Sequence, residues 1–179
     1  MGNRKPASGR AALTVSRPEL LVQGSDREFR RLVHNLFAFF ARHESIRNGH
    51  ARVVGLAGVE YSVLISISHM SVRGPVNIQT VADHLHVSGT FVTRTVKALE
   101  RKGLVIKSDD VDDRRRVNVA VTELGRSELK RLAVIQRKVN DIEFGSLSTE
   151  EFEKLNDIME RLITSSETAL EIQNHLAPR

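Results

Sequence analysis

The chain has 179 residues, no cysteine, and a formal net charge of +5 at pH 7. This length suits one domain with added helices, and it can bury enough surface to fold without disulfides or a structural metal. The lack of cysteine excludes a disulfide framework, cysteine-ligated zinc, thiol catalysis and thiol redox sensing.

The distribution of charged and apolar residues narrows the class of protein further. Basic residues exceed acidic ones over the first two thirds of the chain, whereas the last third is net acidic. Such asymmetry fits a nucleic-acid-facing part joined to another module, and a net charge of +5 is equally consistent with an ordinary protein of this length. The longest apolar run, Leu36–Ala41, is far shorter than the ~20 residues that a membrane-spanning helix needs, and no signal-peptide core follows Met1. We therefore expect a soluble, cytoplasmic protein with no membrane partner.

The first quarter of the chain predicts an arm, a helix and a loop. Residues 1–24 are rich in Gly, Pro, Ser and Arg, which predicts a flexible basic arm. Residues 26–44 predict a helix, because apolar residues recur at helical spacing. These residues are Phe29, Leu32, Val33, Leu36, Phe37 and Phe40. The polar residues 45–55 predict a loop, and residues 57–71 a second helix that ends before the break at Arg73-Gly74-Pro75.

The middle of the chain predicts two short helices joined by a tight turn. Residues 77–85 carry one apolar stripe, and Asn77 suits the N-cap. Residues 86–88 form the turn, and Ser88 can cap a second helix over residues 89–102. Gly103 stands where a left-handed residue closes a helix, with Leu104 placed to contact Leu99.

A β-hairpin and two terminal helices follow. Leu104–Lys107 and the alternating Val117–Val121 predict two strands around a charged tip, Ser108–Arg116. Thr122 caps a helix predicted over residues 123–144. Ser148 and Glu151 form a capping box for the last helix. The side chains predicted to face inward are Leu129, Leu132, Ile135, Val139 and Ile142 on the first of these helices, and Leu155, Ile158, Met159 and Leu162 on the second.

Together these elements predict a winged helix-turn-helix, in a mainly α fold with a small β-hairpin wing. The major groove of DNA admits one helix, whose outward side chains must be short or basic. Helix 89–102 offers Thr90, Thr93 and Arg94 for base edges, Lys97 and Arg101 for phosphates, and its Ser88 end for a phosphate. At the hairpin tip, Arg114, Arg115 and Arg116 suit the minor groove, with Asp113 placed to orient one of them.

Catalytic and metal chemistry find no support in the sequence. The four aspartates of the hairpin tip lack the glycine and terminal glutamate of a calcium-binding loop. His43, Glu44 and His50 fit no recognised zinc spacing. The chain has no nucleophile elbow, phosphate loop or paired-carboxylate motif. We therefore expect no enzyme activity, no metal and no cofactor.

Five stretches of this chain resemble the MarR-type transcriptional regulators. They are IQTVADHL at 78–85, VSGTFVTR at 87–94, LERKGLV at 99–105, DRRRV at 113–117 and VTELG at 121–125. Their joint spacing is specific, and the resemblance runs from about Arg27 to about Leu170. One departure is Leu56-Ala57, where family members usually have Leu-Thr, so the second helix lacks a capping hydroxyl worth ~1 kcal/mol.

The resemblance implies a domain organisation and a mode of DNA binding. It implies that Asp113 and Arg115 reach the minor groove, and that the terminal helices form a homodimer. The domains are then a flexible basic arm at 1–24, a helical dimerisation region at 25–54 and 123–179, and a winged helix-turn-helix DNA-binding domain at 55–122. A two-fold dimer predicts a pseudo-palindromic operator with half-sites about 10 bp apart.

The resemblance further implies a repressor that is released by a small aromatic or carboxylate ligand. Because the chain has no cysteine, the thiol-based, peroxide-sensing branch of the family is excluded. The residues that could hold such an effector are His34, Phe37, Phe40, Arg42, Tyr61, Leu64 and His69. The alternative is a ligand-independent architectural DNA-binding protein, which a lack of any response to aromatic acids would favour.

Overall fold

The computed structural model describes residues 12–109 and 117–177. A short 3-10 helix, Pro18–Leu20, precedes six α-helices and three strands in the described residues. The α-helices are α1 (Arg27–Val53), α2 (Gly58–Met70), α3 (Ile78–Leu85), α4 (Gly89–Arg101), α5 (Glu123–Glu143) and α6 (Thr149–Leu176), and the strands are β1 (Val76–Asn77), β2 (Val105–Asp109) and β3 (Val117–Val121). The predicted mainly α fold with a small β-wing is confirmed.

The first helix is longer than predicted, and the loop predicted at residues 45–55 is wrong. α1 continues to Val53 because its second half packs against α2, with His50 and Ala51 buried. Arg47 forms a salt bridge with Glu44 at 3.2 Å and also donates a hydrogen bond to the Ser62 hydroxyl. Tertiary packing of a few small or polar side chains thus extends a helix where local sequence indicates a loop.

The helix-turn-helix forms by the predicted caps. Asn77 Oδ1 accepts from the Thr80 N–H at 3.0 Å at the start of α3, and Ser88 Oγ accepts from the Phe91 N–H at 3.2 Å at the start of α4. At the end of α4, Gly103 adopts a left-handed φ of 72°. The Leu104 N–H then donates to the Leu99 carbonyl at 3.0 Å, which completes the Schellman closure.

The predicted hairpin belongs to a three-stranded antiparallel sheet with the order β1-β3-β2. Val105 pairs with Val121 and Asp109 pairs with Val117, so β2 and β3 are in register up to the tip. The additional strand, β1, pairs Val76 with Val119. Two residues are too few for a periodic pattern, which is why the sequence does not reveal this strand.

The core lies between α2, α4 and the sheet, with α5 closing one side. Val63, Leu64 and Ile67 of α2 are fully buried, as is Leu132 of α5. The prediction that Ile142 faces inward is wrong, because this residue near the C-terminal end of α5 is 84% exposed. No residue of α6 is buried, so the predicted burial of Leu155, Ile158, Met159 and Leu162 does not occur within one chain. α6 has few neighbours in its own chain against which to pack.

The described part of the predicted arm is attached to the start of α1. Asp26 Oδ2 accepts from the backbone N–H and the hydroxyl of Thr14, both at 2.8 Å. Arg30 forms a salt bridge with Asp26 at 2.9 Å and donates to the Ala12 carbonyl at 2.8 Å. The hydrogen bonds from Arg30 and Thr14 hold the pKa of Asp26 well below its ordinary value. Residues 1–11 lie outside the described residues.

None of the helices in the described residues is, by itself, long and apolar enough to cross a membrane. Taken together, α1 and α2 are long and apolar enough for a membrane span, but the two helices are bent by 87° relative to each other.

Candidate nucleic-acid interface

α4 has one buried face and one exposed face. Val92, Val96 and Leu99 are fully buried against the core. The opposite face consists of exposed side chains, namely Thr90, Thr93, Arg94, Lys97 and Arg101. The structure therefore places these five predicted DNA contacts together on the outer surface of one helix. Because the inner face is fixed in the core, their positions relative to the domain are set by packing.

The polar groups of this face are available to a ligand. Arg94 and Lys97 form no salt bridge in the described part of the chain. The Thr93 hydroxyl donates to the Gly89 carbonyl at 2.9 Å, which leaves its oxygen able to accept. Ser88 is exposed, and its Oγ already caps the N–H of Phe91. The first turn of α4 therefore presents the positive end of the helix dipole at the surface.

The wing is described only at its base. Asp113, Arg114, Arg115 and Arg116 lie outside the described residues, so their predicted roles stay predictions. β2 and β3 pair along their full described lengths, which sets the direction in which the hairpin leaves the domain. Lys107 of β2 forms a 2.7 Å salt bridge with Glu100 of α4. The base of the wing is thus joined directly to the candidate reading helix.

The end of α4 is attached to the start of α2 by an ion pair that sequence reasoning missed. Lys102 Nζ lies 2.7 Å from Glu60 Oε2, and Glu60 Oε2 also accepts from the Ala57 N–H at 2.9 Å. Glu60 therefore supplies a cap that compensates in part for the missing hydroxyl at Ala57. Burial acts to raise the pKa of Glu60, but the hydrogen bonds from Lys102 and Ala57 outweigh it and hold the pKa below its ordinary value.

The predicted effector residues do not line one common cavity in the described chain. His34, Phe37, Phe40 and Arg42 are exposed along α1, and Phe37 is 66% exposed. Tyr61 and Leu64 are buried in the core, where Gln136 donates to the Tyr61 hydroxyl at 2.8 Å. Burial raises the pKa of Tyr61. His69 is exposed at the end of α2, beside a separate cavity.

A larger groove runs between α1, the end of α5 and α6, and we call it the aromatic groove. Its volume is about 540 Å³, and its apolar lining comprises Leu36, Phe39, Phe40, Phe144, Leu147, Phe152, Leu155 and Met159. Of the predicted effector residues only Phe40 lies here. Beside it, His43 Nδ1 is 3.1 Å from Glu143 Oε1, and the His43 ring stacks on Phe39 at 5.7 Å. Sequence reasoning missed Phe39, Phe144 and Glu143 as a group, since they meet only in the folded chain.

The described residues contain no cluster of three or more His, Asp or Glu side chains that could hold a metal ion. The absence of a metal and of a cofactor stays a prediction.

The chain is similar to known proteins over its helix-turn-helix and beyond. Residues 58–117 match the family model for the MarR family. The HTH-type transcriptional regulator YkoM of Bacillus subtilis is 28% identical over 127 residues, which cover 68% of this chain and 79% of YkoM. The HTH-type transcriptional repressor NicR of Pseudomonas putida is 26% identical over 136 residues, or 76% of this chain and 84% of NicR.

Solved structures share the fold. The transcriptional regulator BldR from Sulfolobus solfataricus superposes with a TM-score of 0.62 at 26% identity, over 75% of this chain and 96% of BldR. A mutant MarR from E. coli, crystallised with operator DNA, gives a TM-score of 0.61 at 18% identity, over 75% of this chain and 95% of that one. The family match over residues 58–117, the curated relatives and the shared winged helix fold all show that this chain is similar to the MarR family of transcriptional regulators.

Proposed function

We propose that this protein is a homodimeric regulator that binds pseudo-palindromic operator DNA through α4 and the wing. The observation that carries the proposal is the outer face of α4, where Arg94 and Lys97 stand exposed beside two threonines and have no carboxylate partner in the described residues. Arginine and threonine at this position can reach base edges, and lysine can reach phosphate. The likeness to a MarR protein crystallised with operator DNA supports the same docking for this chain.

The test begins with selection of a preferred sequence from a pool of random duplexes. Fluorescence anisotropy then measures the affinity of the protein for the selected duplex and for a scrambled duplex. We expect the selected duplex to bind at least ~10³-fold more tightly, as specific regulators do. Arg137→Ala, which removes an exposed arginine from α5, serves as the matched control for Arg94→Ala. Equal affinity for the two duplexes would contradict sequence-specific binding and favour the architectural alternative.

A homodimer accounts for the apolar surface that one chain leaves exposed. α6 has no buried residue, yet Leu155, Ile158 and Leu162 lie along one stripe and are each 36% to 47% exposed. Phe37 and Phe40 of α1 are also exposed, and Phe40 lines the aromatic groove. A long amphipathic helix of this kind needs a partner for its apolar face. A second copy offers the same face and closes the assembly with two-fold symmetry.

Sedimentation equilibrium tests the dimer. We expect the unmodified protein to sediment as a dimer, and Phe40→Glu and Ile158→Glu to shift it toward the monomer. Val72→Glu is the control, because Val72 is 85% exposed in the loop that follows α2 and does not line the aromatic groove. A monomeric unmodified protein, or dimers of unchanged affinity in both variants, would contradict the proposed interface.

We further propose that the protein is a repressor, and that a small aromatic or carboxylate ligand releases it from DNA. The apolar surface of α1 next to Arg42 supports an aromatic acid, and the relative NicR is named a repressor. A ligand can shift the protein only by binding the form that does not dock on DNA more tightly than the form that does. Titration of the operator complex with benzoate and with phenol tests this step. A complex that neither compound weakens at any concentration would favour the ligand-independent alternative.

A further inference from the structure

A second cavity lies where the end of α2 meets α3, away from the aromatic groove. Its volume is about 330 Å³, at the lower end of the range for small-molecule sites. Three elements form it: the last turn of α2, the loop that leads into β1, and α3. An occupant would therefore touch both the helix that carries the core and the first helix of the helix-turn-helix.

The polar part of this cavity is entirely basic or neutral. His69, Arg73 and His84 project toward it, together with the Thr80 hydroxyl, and no acidic residue lines it. Within the described residues none of these four side chains has a hydrogen-bond or ion-pair partner, whereas Arg30, Arg126 and Arg131 each bind a carboxylate. Asp83, on the same helix as Thr80 and His84, lies outside the lining and accepts from Gln79 Nε2 at 2.6 Å.

The remaining wall is apolar. Met70, Pro75 and Val76 line it, and Val76 is 3% exposed because it is held in the sheet by its pairing with Val119. A cavity of this size with one apolar wall exceeds what a bare inorganic anion fills. It matches a small organic molecule that has an anionic head and a compact apolar body.

We infer that this cavity binds a small organic oxyanion, a carboxylate or a phosphate monoester. The guanidinium of Arg73 supplies a fork of donors for two anionic oxygens. The Thr80 hydroxyl and the imidazoles of His69 and His84 supply further donors around the same head group. This site is distinct from the proposed effector region on α1, and it requires neither a dimer nor DNA.

The experiment titrates benzoate into the full chain, with benzamide as the neutral analogue of the same shape. Two-dimensional NMR of the histidine ring protons follows each imidazole at constant pH and ionic strength. We expect saturable shifts of the His69 and His84 signals with benzoate and none with benzamide. Arg73→Gln should weaken the affinity measured at these signals about tenfold or more. Arg42→Gln, which removes an arginine from the α1 surface, should leave it unchanged.

The results of this experiment can be distinguished from a failure of the proposed DNA-binding and effector functions. Benzoate shifts confined to His43 and removed by Arg42→Gln would place the only anion site on α1 and overturn this inference. Equal responses to benzoate and benzamide, or no response at His69 and His84, would overturn it as well. If Arg73→Gln weakens operator binding but leaves the benzoate shifts unchanged, Arg73 contacts a DNA phosphate, and the proposed small-molecule site is wrong.

Discussion

Replacement of Lys102 by methionine tests how α4 is held on the rest of the domain. Lys102 Nζ contacts Glu60 Oε2 at 2.7 Å, and its side chain is 41% exposed, whereas that of Glu60 is only 14% exposed. Methionine keeps most of the apolar stem and removes the charge. The Glu60 carboxylate then keeps its bond from the Ala57 N–H but loses its only described cation within salt-bridge distance. A half-exposed pair of this kind contributes ~1 kcal/mol, so we expect a loss of that size.

A double-mutant cycle in urea isolates the pair from other effects. Lys102→Met, Glu60→Gln and the double variant are unfolded at pH 7, and the coupling energy is expected at about 0.5–1.5 kcal/mol. Glu60 also caps α2 by accepting from the Ala57 N–H, and glutamine can still accept this hydrogen bond, so Glu60→Gln removes mainly the charge. A coupling energy within error of zero would show that the 2.7 Å contact does not stabilise the fold.

The same pair predicts a pH dependence with a definite sign. The folded-state pKa of Glu60 is held below its ordinary value of 4.5. A lowered pKa means that the stabilisation is present above pH 4.5 and is lost as the pH falls through the folded-state pKa. The stability difference between the unmodified protein and Lys102→Met should therefore shrink below pH 4.5. A difference that stays constant down to pH 3 would refute the ionic interpretation.

Four further predictions concern DNA reading, the core and the arm. Arg94→Ala should cost roughly 1–3 kcal/mol in operator affinity and relax specificity at one base pair; a uniform loss on all sequences in an anisotropy assay would show a phosphate contact instead. Arg115→Ala should weaken binding most at A·T-rich flanks; unchanged affinity on such duplexes would remove the wing from the proposed interface. Leu99→Ala, at a fully buried position of α4, should lower the free energy of unfolding by about 2–5 kcal/mol, and a loss under ~1 kcal/mol in urea would contradict its place in the core. Asp26→Asn should release the Thr14 segment from α1 and speed proteolysis between residues 12 and 24; cleavage at the unmodified rate would show that Asp26 does not hold it.

The helix-turn-helix was predictable because its signals are local. The Asn77 and Ser88 caps, the Gly103 closure and the alternation of Val117, Val119 and Val121 each depend on residues within one turn or one strand. The exposed face of α4 follows from the same argument, since a helix that buries Val92, Val96 and Leu99 must turn Arg94 and Lys97 outward.

The errors arose where long-range packing overrides local sequence. Residues 45–53 are mostly polar, but α1 continues through them because Ala51 is buried and the His50 ring contacts the Tyr61 ring of α2. Strand β1 forms only because Val76 pairs with Val119, which is forty-three positions away in the chain. The inward faces predicted for α5 and α6 assumed that an apolar stripe is buried within its own chain. In this chain the stripe of α6 stays exposed, which is typical of a surface that meets another molecule.

The predicted effector residues show the same contrast between local sequence signals and long-range packing. The predicted effector set consists of apolar and polar side chains on α1 and α2, and helix periodicity says nothing about which of them meet. Tyr61 and Leu64 are enclosed in the core, Phe40 and Arg42 border surface grooves, and His69 joins Arg73 and His84 in a separate basic cavity. A cavity depends on residues from elements that only the fold brings together, so no local pattern could locate it.

The amino-acid sequence by itself determined the helix-turn-helix and the base of the wing, since caps, turn chemistry and side-chain periodicity act over a few residues. The tertiary structure alone decided how α4 is attached to α2 and to β2, through the Lys102–Glu60 and Lys107–Glu100 ion pairs. It also decided which apolar and basic surfaces stay exposed to a partner or a ligand. Attachment and open surface depend on distances between elements remote in the chain, and packing sets those distances.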